Sequence, residues 1–101
     1  MTAKTVDWLV QEINDLLDVS SVGLYEFMNL LNDLDAPMPI EERLMVARQA
    51  LERLLGSADI GLYWMQWPEF DHRGALSVVD LPEDPFSGPD QQGRYIAVDR
   101  S

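Results

Sequence analysis

Apolar positions along the first 18 residues recur at helical spacing. Val6, Leu9, Val10, Ile13, Leu16 and Leu17 fall in one sector of a helical wheel, while Asp7, Glu12, Asp15 and Asp18 lie outside it, which predicts an amphipathic helix over about residues 4–18. Ser20 or Ser21 is placed to cap a second helix over 21–35, its hydroxyl accepting from free backbone donors ahead of a stripe made by Leu24, Phe27, Met28, Leu30, Leu31 and Leu34. The turn Asp35-Ala36-Pro37-Met38-Pro39 breaks that helix. Pro39 suits the first turn of a third helix over 39–55, with Glu41 and Glu42 at the positive end of its dipole. Ile40, Leu44, Ala47, Leu51, Leu54 and Leu55 form its apolar stripe, and Gly56 reads as the left-handed residue that stops it.

After Gly56 the period changes to two. Ile60, Leu62 and Trp64 alternate with Gly61, Tyr63, Met65 and Trp67, so a strand is expected over about 58–67, ended by Pro68. Arg94-Tyr95-Ile96-Ala97-Val98 predicts a second strand over about 93–99. The connection between them holds Pro82, Pro85 and Pro89 and cannot supply a central strand, although Ala75 to Val79 suits a short strand or helix. Both faces of the first strand are apolar, so something must cover the second. The connection, through Phe70, Leu76, Val78, Val79, Leu81 and Phe86, is one cover, and a partner protein meeting the aromatic side chains is the other.

The pattern describes one α+β domain over residues 1–101: three N-terminal helices followed by a small antiparallel sheet with a long connection. That order is the order of a winged helix, a helix-turn-helix backed by a hairpin. The segments Val22-Gly23-Leu24-Tyr25-Glu26-Phe27 and Pro39-Ile40-Glu41-Glu42-Arg43, with Ala47, Leu51, Leu54, Leu55 and then Ile60-Gly61-Leu62-Tyr63 and a tryptophan, resemble small acidic winged-helix-like bacterial proteins. The resemblance implies that fold, and for some members an immunity role against a partner toxin. It carries no functional residues with it.

Charge redirects the functional reading. The chain has 101 residues, 18 acidic and 7 basic, for a net charge of -11. Acid is concentrated in residues 1–35 and 59–101, and the middle is neutral. The outer face of the third helix carries Glu41, Glu42, Met45, Gln49, Glu52 and Arg53, and its three arginines do not share a stripe. Phosphate contacts need cations that this surface does not supply, so duplex DNA is disfavoured, as is an anionic membrane surface. No run of apolar residues is long enough to span a bilayer, and the N-terminus lacks the features of a signal peptide, so a cytoplasmic setting is expected.

Chemistry has little material. There is no cysteine, His72 is the single imidazole and reads as a solvated loop residue, and neither a nucleophile elbow nor a glycine-rich phosphate loop is present. Asn32-Asp33-Leu34-Asp35 opens like a calcium loop but is followed by Ala36 and Pro37, so neither metal nor cofactor is expected. The function expected is a non-enzymatic acidic module that binds a basic protein, most concretely an immunity or antitoxin-type inhibitor of a nucleic-acid-processing toxin. The alternative is a winged-helix regulator or phage-encoded modulator acting by protein contact, or a homodimer. Candidate partner-binding residues are Trp8, which sits on the wheel with Glu12 and Asp15 rather than with the core, together with Asp15, Asp18, Tyr63, Trp67, Asp80, Glu83, Asp84 and Asp90. Tyr25 is expected on the polar side of the second helix.

Overall fold

The computed structural model describes residues 2–34, 38–69 and 71–100. Helix α1 spans Thr2–Leu17, strand β1 Val22–Gly23, helix α2 Leu24–Asn32 and helix α3 Ile40–Leu55. Strand β2 spans Ile60–Gln66, β3 Gly74–Leu76 and β4 Arg94–Arg100, with a 3₁₀ turn at Val78–Asp80. The chain is therefore α+β, with three helices and a four-stranded antiparallel sheet in the order β1-β4-β2-β3. A strand precedes the second helix, so the expected order of three helices and then a sheet is corrected.

The correction has a local cause. Val22 and Gly23 leave the helical path to pair with Val98 and Ala97 of β4, and this extended pair takes the place of a serine cap. Gly23 becomes the residue ahead of α2, and its backbone N–H donates to the Glu26 carboxylate at 2.9 Å. That is one half of a capping box, so helix α2 starts at Leu24 rather than at residue 21. Its expected end at Asp35 lies outside the described residues. Two further expectations change in the same way. Pro39 has an extended ψ of 151° and precedes the helix instead of starting it, and Gly56 is right-handed at φ -67°.

Helix α1 buries Val6, Leu9, Ile13 and Leu17, α2 buries Leu24, Phe27 and Leu31, and α3 buries Val46, Ala47, Ala50, Leu51 and Leu54. These meet Val22, Ile60, Leu62, Ile96 and Val98 of the sheet in one core. Each buried Leu, Ile or Phe contributes roughly 1.5–3 kcal/mol by leaving water. The α3 stripe is rotated from the one expected, since Val46 and Ala50 face the core while Ile40 is exposed. The register sets the two faces of the sheet. Leu62 lies opposite Val98 on one side and Leu76 on the other, and all three share the helix-facing surface.

The opposite face is closed differently from the cover expected of the connection. Met65, Tyr95 and Ala97 form a second, smaller cluster there, roofed by the rings of Tyr25 and Tyr63. The connection instead joins the main core: Phe86 is buried against Phe27, and Leu76 and Leu81 pack on the same cluster. Val78 and Val79 are exposed, and Phe70 lies outside the described residues. The reason is space, because glycines at 23 and 61 let tyrosine rings lie flat over the strands. A Cβ at Gly23 would stand 2.5 Å from Tyr25, and one at Gly61 would stand 3.0 Å from the Tyr63 hydroxyl.

Candidate protein-binding and ligand-binding grooves

Two grooves flank the sheet and differ in charge. The first lies between α3 and the segment that follows β3. Arg48, Leu51, Glu52 and Leu55 sit at helical spacing along one side of α3, and Val78, Leu81, Pro82 and Glu83 form the other wall, enclosing about 550 Å³. Leu51 and Leu54 hold this side of α3 to the core, and Leu81 ties the opposite wall to it. The walls are apolar. The rim carries two carboxylates against one guanidinium, a net charge of -1.

The wall has a built shape. The Asp80 carboxylate accepts from the Ser77 N–H at 3.2 Å and from the Ser77 hydroxyl at 3.0 Å, closing the 3₁₀ turn and fixing Val78 beside α3. Pro82 follows and limits the backbone to an extended path past Leu55. Asp80 thus positions the wall, while Glu83 faces the groove. Asp84 lies one residue further on, where its carbonyl accepts from the Ser87 hydroxyl at 3.1 Å.

The second groove, of about 730 Å³, is lined by Trp64, Met65, Gln66, Trp67, Glu69, Arg73 and Arg94. Trp64 is 38% exposed and Trp67 63% exposed, although β2 itself is central in the sheet. Among the described residues β3 pairs with β2 from Leu62 to Trp64, and no strand is paired to that edge of β2 beyond Trp64. Arg73 is pinned there by its N–H, which donates to the Trp64 carbonyl at 2.7 Å. Arg94 arrives from β4, opposite Gln66 in the register.

Beside it, a shallower pocket brings Trp67 and Asp90 together with Tyr25, Pro68 and Pro89. The Asp90 carboxylate accepts from the backbone N–H groups of Gln92 at 2.8 Å and Arg94 at 2.9 Å, and from Arg94 Nε at 3.2 Å. Those donors, led by the Arg94 N–H, hold its pKa below the ordinary carboxylate value. The phenols of Tyr25 and Tyr95, edge to face at 5.5 Å, are pushed above the ordinary tyrosine value, chiefly by burial and then by the Glu26 charge. Tyr25 therefore lies across the outer sheet face and not on a polar helix side.

The remaining candidates are placed apart. Trp8 is half-buried and packs against the main core, correcting its expected exposure. Asp15 accepts from the Gln11 amide on the open surface of α1. Asp18 and Asp59 both hold the Arg100 guanidinium, at 3.1 and 3.0 Å, which ties the end of α1 to the last strand. Tyr63 stacks on His72, centroids 3.8 Å apart and 17° from parallel. His72 is no free loop residue, since its Nε2 lies 2.7 Å from Asp99 Oδ2. Among the described residues no group of three or more His, Asp or Glu side chains is arranged to hold a metal ion.

Sequence reasoning missed the groove walls, Leu51, Leu55, Leu81 and Pro82, and the lining of a second groove by Trp64, Arg73 and Arg94. A signal for Arg94 was present. Two antiparallel strands of equal length put the end of one beside the start of the other, and so Gln66-Trp67 beside Arg94. No helix among the described residues is long and apolar enough to cross a membrane. Comparison with protein-family models, curated proteins and solved structures finds no significant match.

Proposed function

We propose that this chain is a non-catalytic protein-binding module on a winged-helix-like scaffold, an immunity or antitoxin-type inhibitor that receives a basic partner in the α3 groove. The scaffold reading is supported by connectivity: a short strand between the first two helices pairs with the last strand, and a long excursion separates the two main strands. In a DNA-reading protein of this kind, one helix enters the major groove and cations hold the phosphates.

The single observation that carries the reading is the acid-bearing excursion lying alongside α3. Glu52 and Glu83 face the same apolar groove, where a duplex would need positive charge. An apolar floor with a carboxylate rim suits a basic amphipathic segment of a protein. Its apolar side chains would displace water over Leu51, Leu55 and Leu81, and its lysines or arginines would meet the rim. The overall charge of -11 steers such a partner inward. His72 lines neither groove and is engaged by Asp99 and Tyr63, so the reading assigns it no catalytic part.

Co-expression with candidate basic, nucleic-acid-processing toxins tests the proposal. Protection of the host, with a stable complex that Val78→Asp or Glu83→Lys disrupts, is the expected result. Failure to bind or protect, or tight binding of duplex DNA at low salt, would overturn it.

A further inference from the structure

We propose that the α3 groove takes an α-helix of the partner, about four turns long and laid along the whole of α3, with cations toward its two ends and a carboxylate between them. The inference rests on the reading of this groove as the seat of a basic protein segment, and gives that segment a conformation, a length and an order of charges.

Spacing is the first ground. Glu41, Leu44, Arg48, Leu51 and Leu55 follow one another at intervals of three, four, three and four residues, the seam along which one helix packs on another. Met45 and Glu52 flank that seam on one side. A recess of about 320 Å³ lined by Glu41, Leu44, Met45, Arg48 and Gln49 covers its first half, and the groove against Val78 and Glu83 covers its second. Arg48 lines both, so the two run together. From Glu41 to Leu55 the track is about 21 Å long at 1.5 Å per residue, close to four helical turns.

Backbone chemistry is the second ground. An extended segment entering an apolar groove needs main-chain partners there in place of water. The α3 backbone is spent on its own helix. On the opposite wall Pro82 has no N–H, and the Leu81 N–H already donates to the Val78 carbonyl at 3.2 Å. A helix satisfies its backbone internally and asks the groove for side-chain contact alone.

Charge is the third ground. Among the described residues Glu41, Arg48, Glu52 and Glu83 form no ion pair, whereas Arg53, Arg73, Arg94 and Arg100 each hold a carboxylate. The order along the track is acid at 41, cation at 48 and acids at 52 and 83. Its complement on a parallel helix is a basic residue, an acidic one seven positions on and a basic one four beyond that, and the same order reversed on an antiparallel helix. A second copy of this chain fits poorly. Two-fold antiparallel pairing of the seam with itself centres on residue 48 and sets the two Arg48 guanidinium groups against each other.

The experiment titrates labelled, end-blocked synthetic helices of about five turns with the whole chain and reads fluorescence anisotropy. Two peptides carry leucines along one seam with lysine, glutamate and lysine in the parallel or the antiparallel order; a third has the same residues with the glutamate moved to one end, and a fourth has two central prolines. One of the first two is expected to bind at least about tenfold more tightly than the third and fourth. Met45→Lys, outside the half of the track walled by Val78, and Val78→Asp, inside it, each weaken that peptide by about tenfold, and Arg48→Glu shifts the preference to a peptide with lysine in place of the glutamate. Met45 and Val78 are 44% and 56% exposed, so both variants should keep the fold, which circular dichroism checks. Equal binding of the proline peptide with Val78→Asp still harmful, or insensitivity to Met45→Lys, would overturn the helix and leave the groove as a protein-binding site. No binding by any peptide, or binding indifferent to Val78→Asp, would overturn both readings. A chain that sediments as a dimer and is dispersed by Met45→Lys would overturn the proposal in favour of a second copy.

Discussion

The ring of Phe86 lies 5.9 Å from that of Phe27, tilted by 44°, and both side chains are buried. Among the described residues between β2 and β4, Phe86 is the one buried apolar side chain, so it is the deepest of the points, with Leu76 and Leu81, at which the long connection is fastened to the core. Phe86→Ala is expected to cost about 3–5 kcal/mol in urea unfolding, the usual loss for an aromatic removed from a packed core. Val79→Asp, at a side chain 90% exposed, is expected to stay within about 0.5 kcal/mol. A Phe86→Ala loss as small as the Val79→Asp loss would mean that the connection is held some other way.

This anchor also marks where sequence stops informing. Helical stripes and the period-two run at Ile60–Trp67 locate all three helices and both long strands, because burial repeats along those segments. Phe86 stands alone among prolines, acids and glycines, with no periodicity to say which face it meets. Trp8 fails for a related reason: a half-buried tryptophan on a helix margin has the same wheel position whether it faces solvent or the rim of a core. Charge was more legible than contact. The acids at Asp80, Glu83 and Asp84 were visible as a cluster, but only the fold puts Glu83 across from Glu52, 31 positions earlier in the chain.

The turn into β4 rests on Gly93, whose φ of +80° is the left-handed region, and a Cβ there would stand 3.0 Å from the Trp67 carbonyl oxygen. Gly93→Ala is expected to cost about 1–2 kcal/mol from the backbone alone and to loosen the Trp67 N–H bond to Gly93. Asp90 caps the same turn. Its folded pKa is depressed, so the stability it lends is complete above the unfolded value of 3.8 and is lost as pH falls through the lower folded value. Carboxyl NMR should find Asp90 still ionised when ordinary aspartates have taken up a proton. Titration of Asp90 at the ordinary value would contradict the observed hydrogen bonds.

At the alkaline end, Tyr25 and Tyr95 set the response. Their folded pKa values are raised, so the contribution is fully present below the unfolded value of 10.0 and is lost as pH rises through the folded values. Ultraviolet difference spectra should resolve at least two phenols ionising late. Gly23→Ala puts a methyl group where the Tyr25 ring lies and is expected to swing that ring into solvent, returning one phenol toward its ordinary value. If both phenols still ionise late in that variant, the ring over Gly23 is not what shelters them.

The α3 groove separates two kinds of contribution that a partner would feel differently. Glu52 and Glu83 are exposed rim charges, and such groups act mainly on encounter. Glu83→Lys and Glu52→Lys should each slow association with a basic partner by up to about tenfold at low salt, with the difference shrinking as salt screens it. Val78 supplies apolar wall, and Val78→Asp places a charge on the desolvated centre, so it should speed dissociation by about tenfold or more with little salt dependence. Val78 is 56% exposed in the free chain, so this variant should unfold at nearly the parent urea concentration. Stopped-flow association and surface-plasmon dissociation rates measured across a salt series read the two effects apart. If all three variants change only the association rate, the groove attracts a partner without seating it, and the apolar walls have no part in the complex.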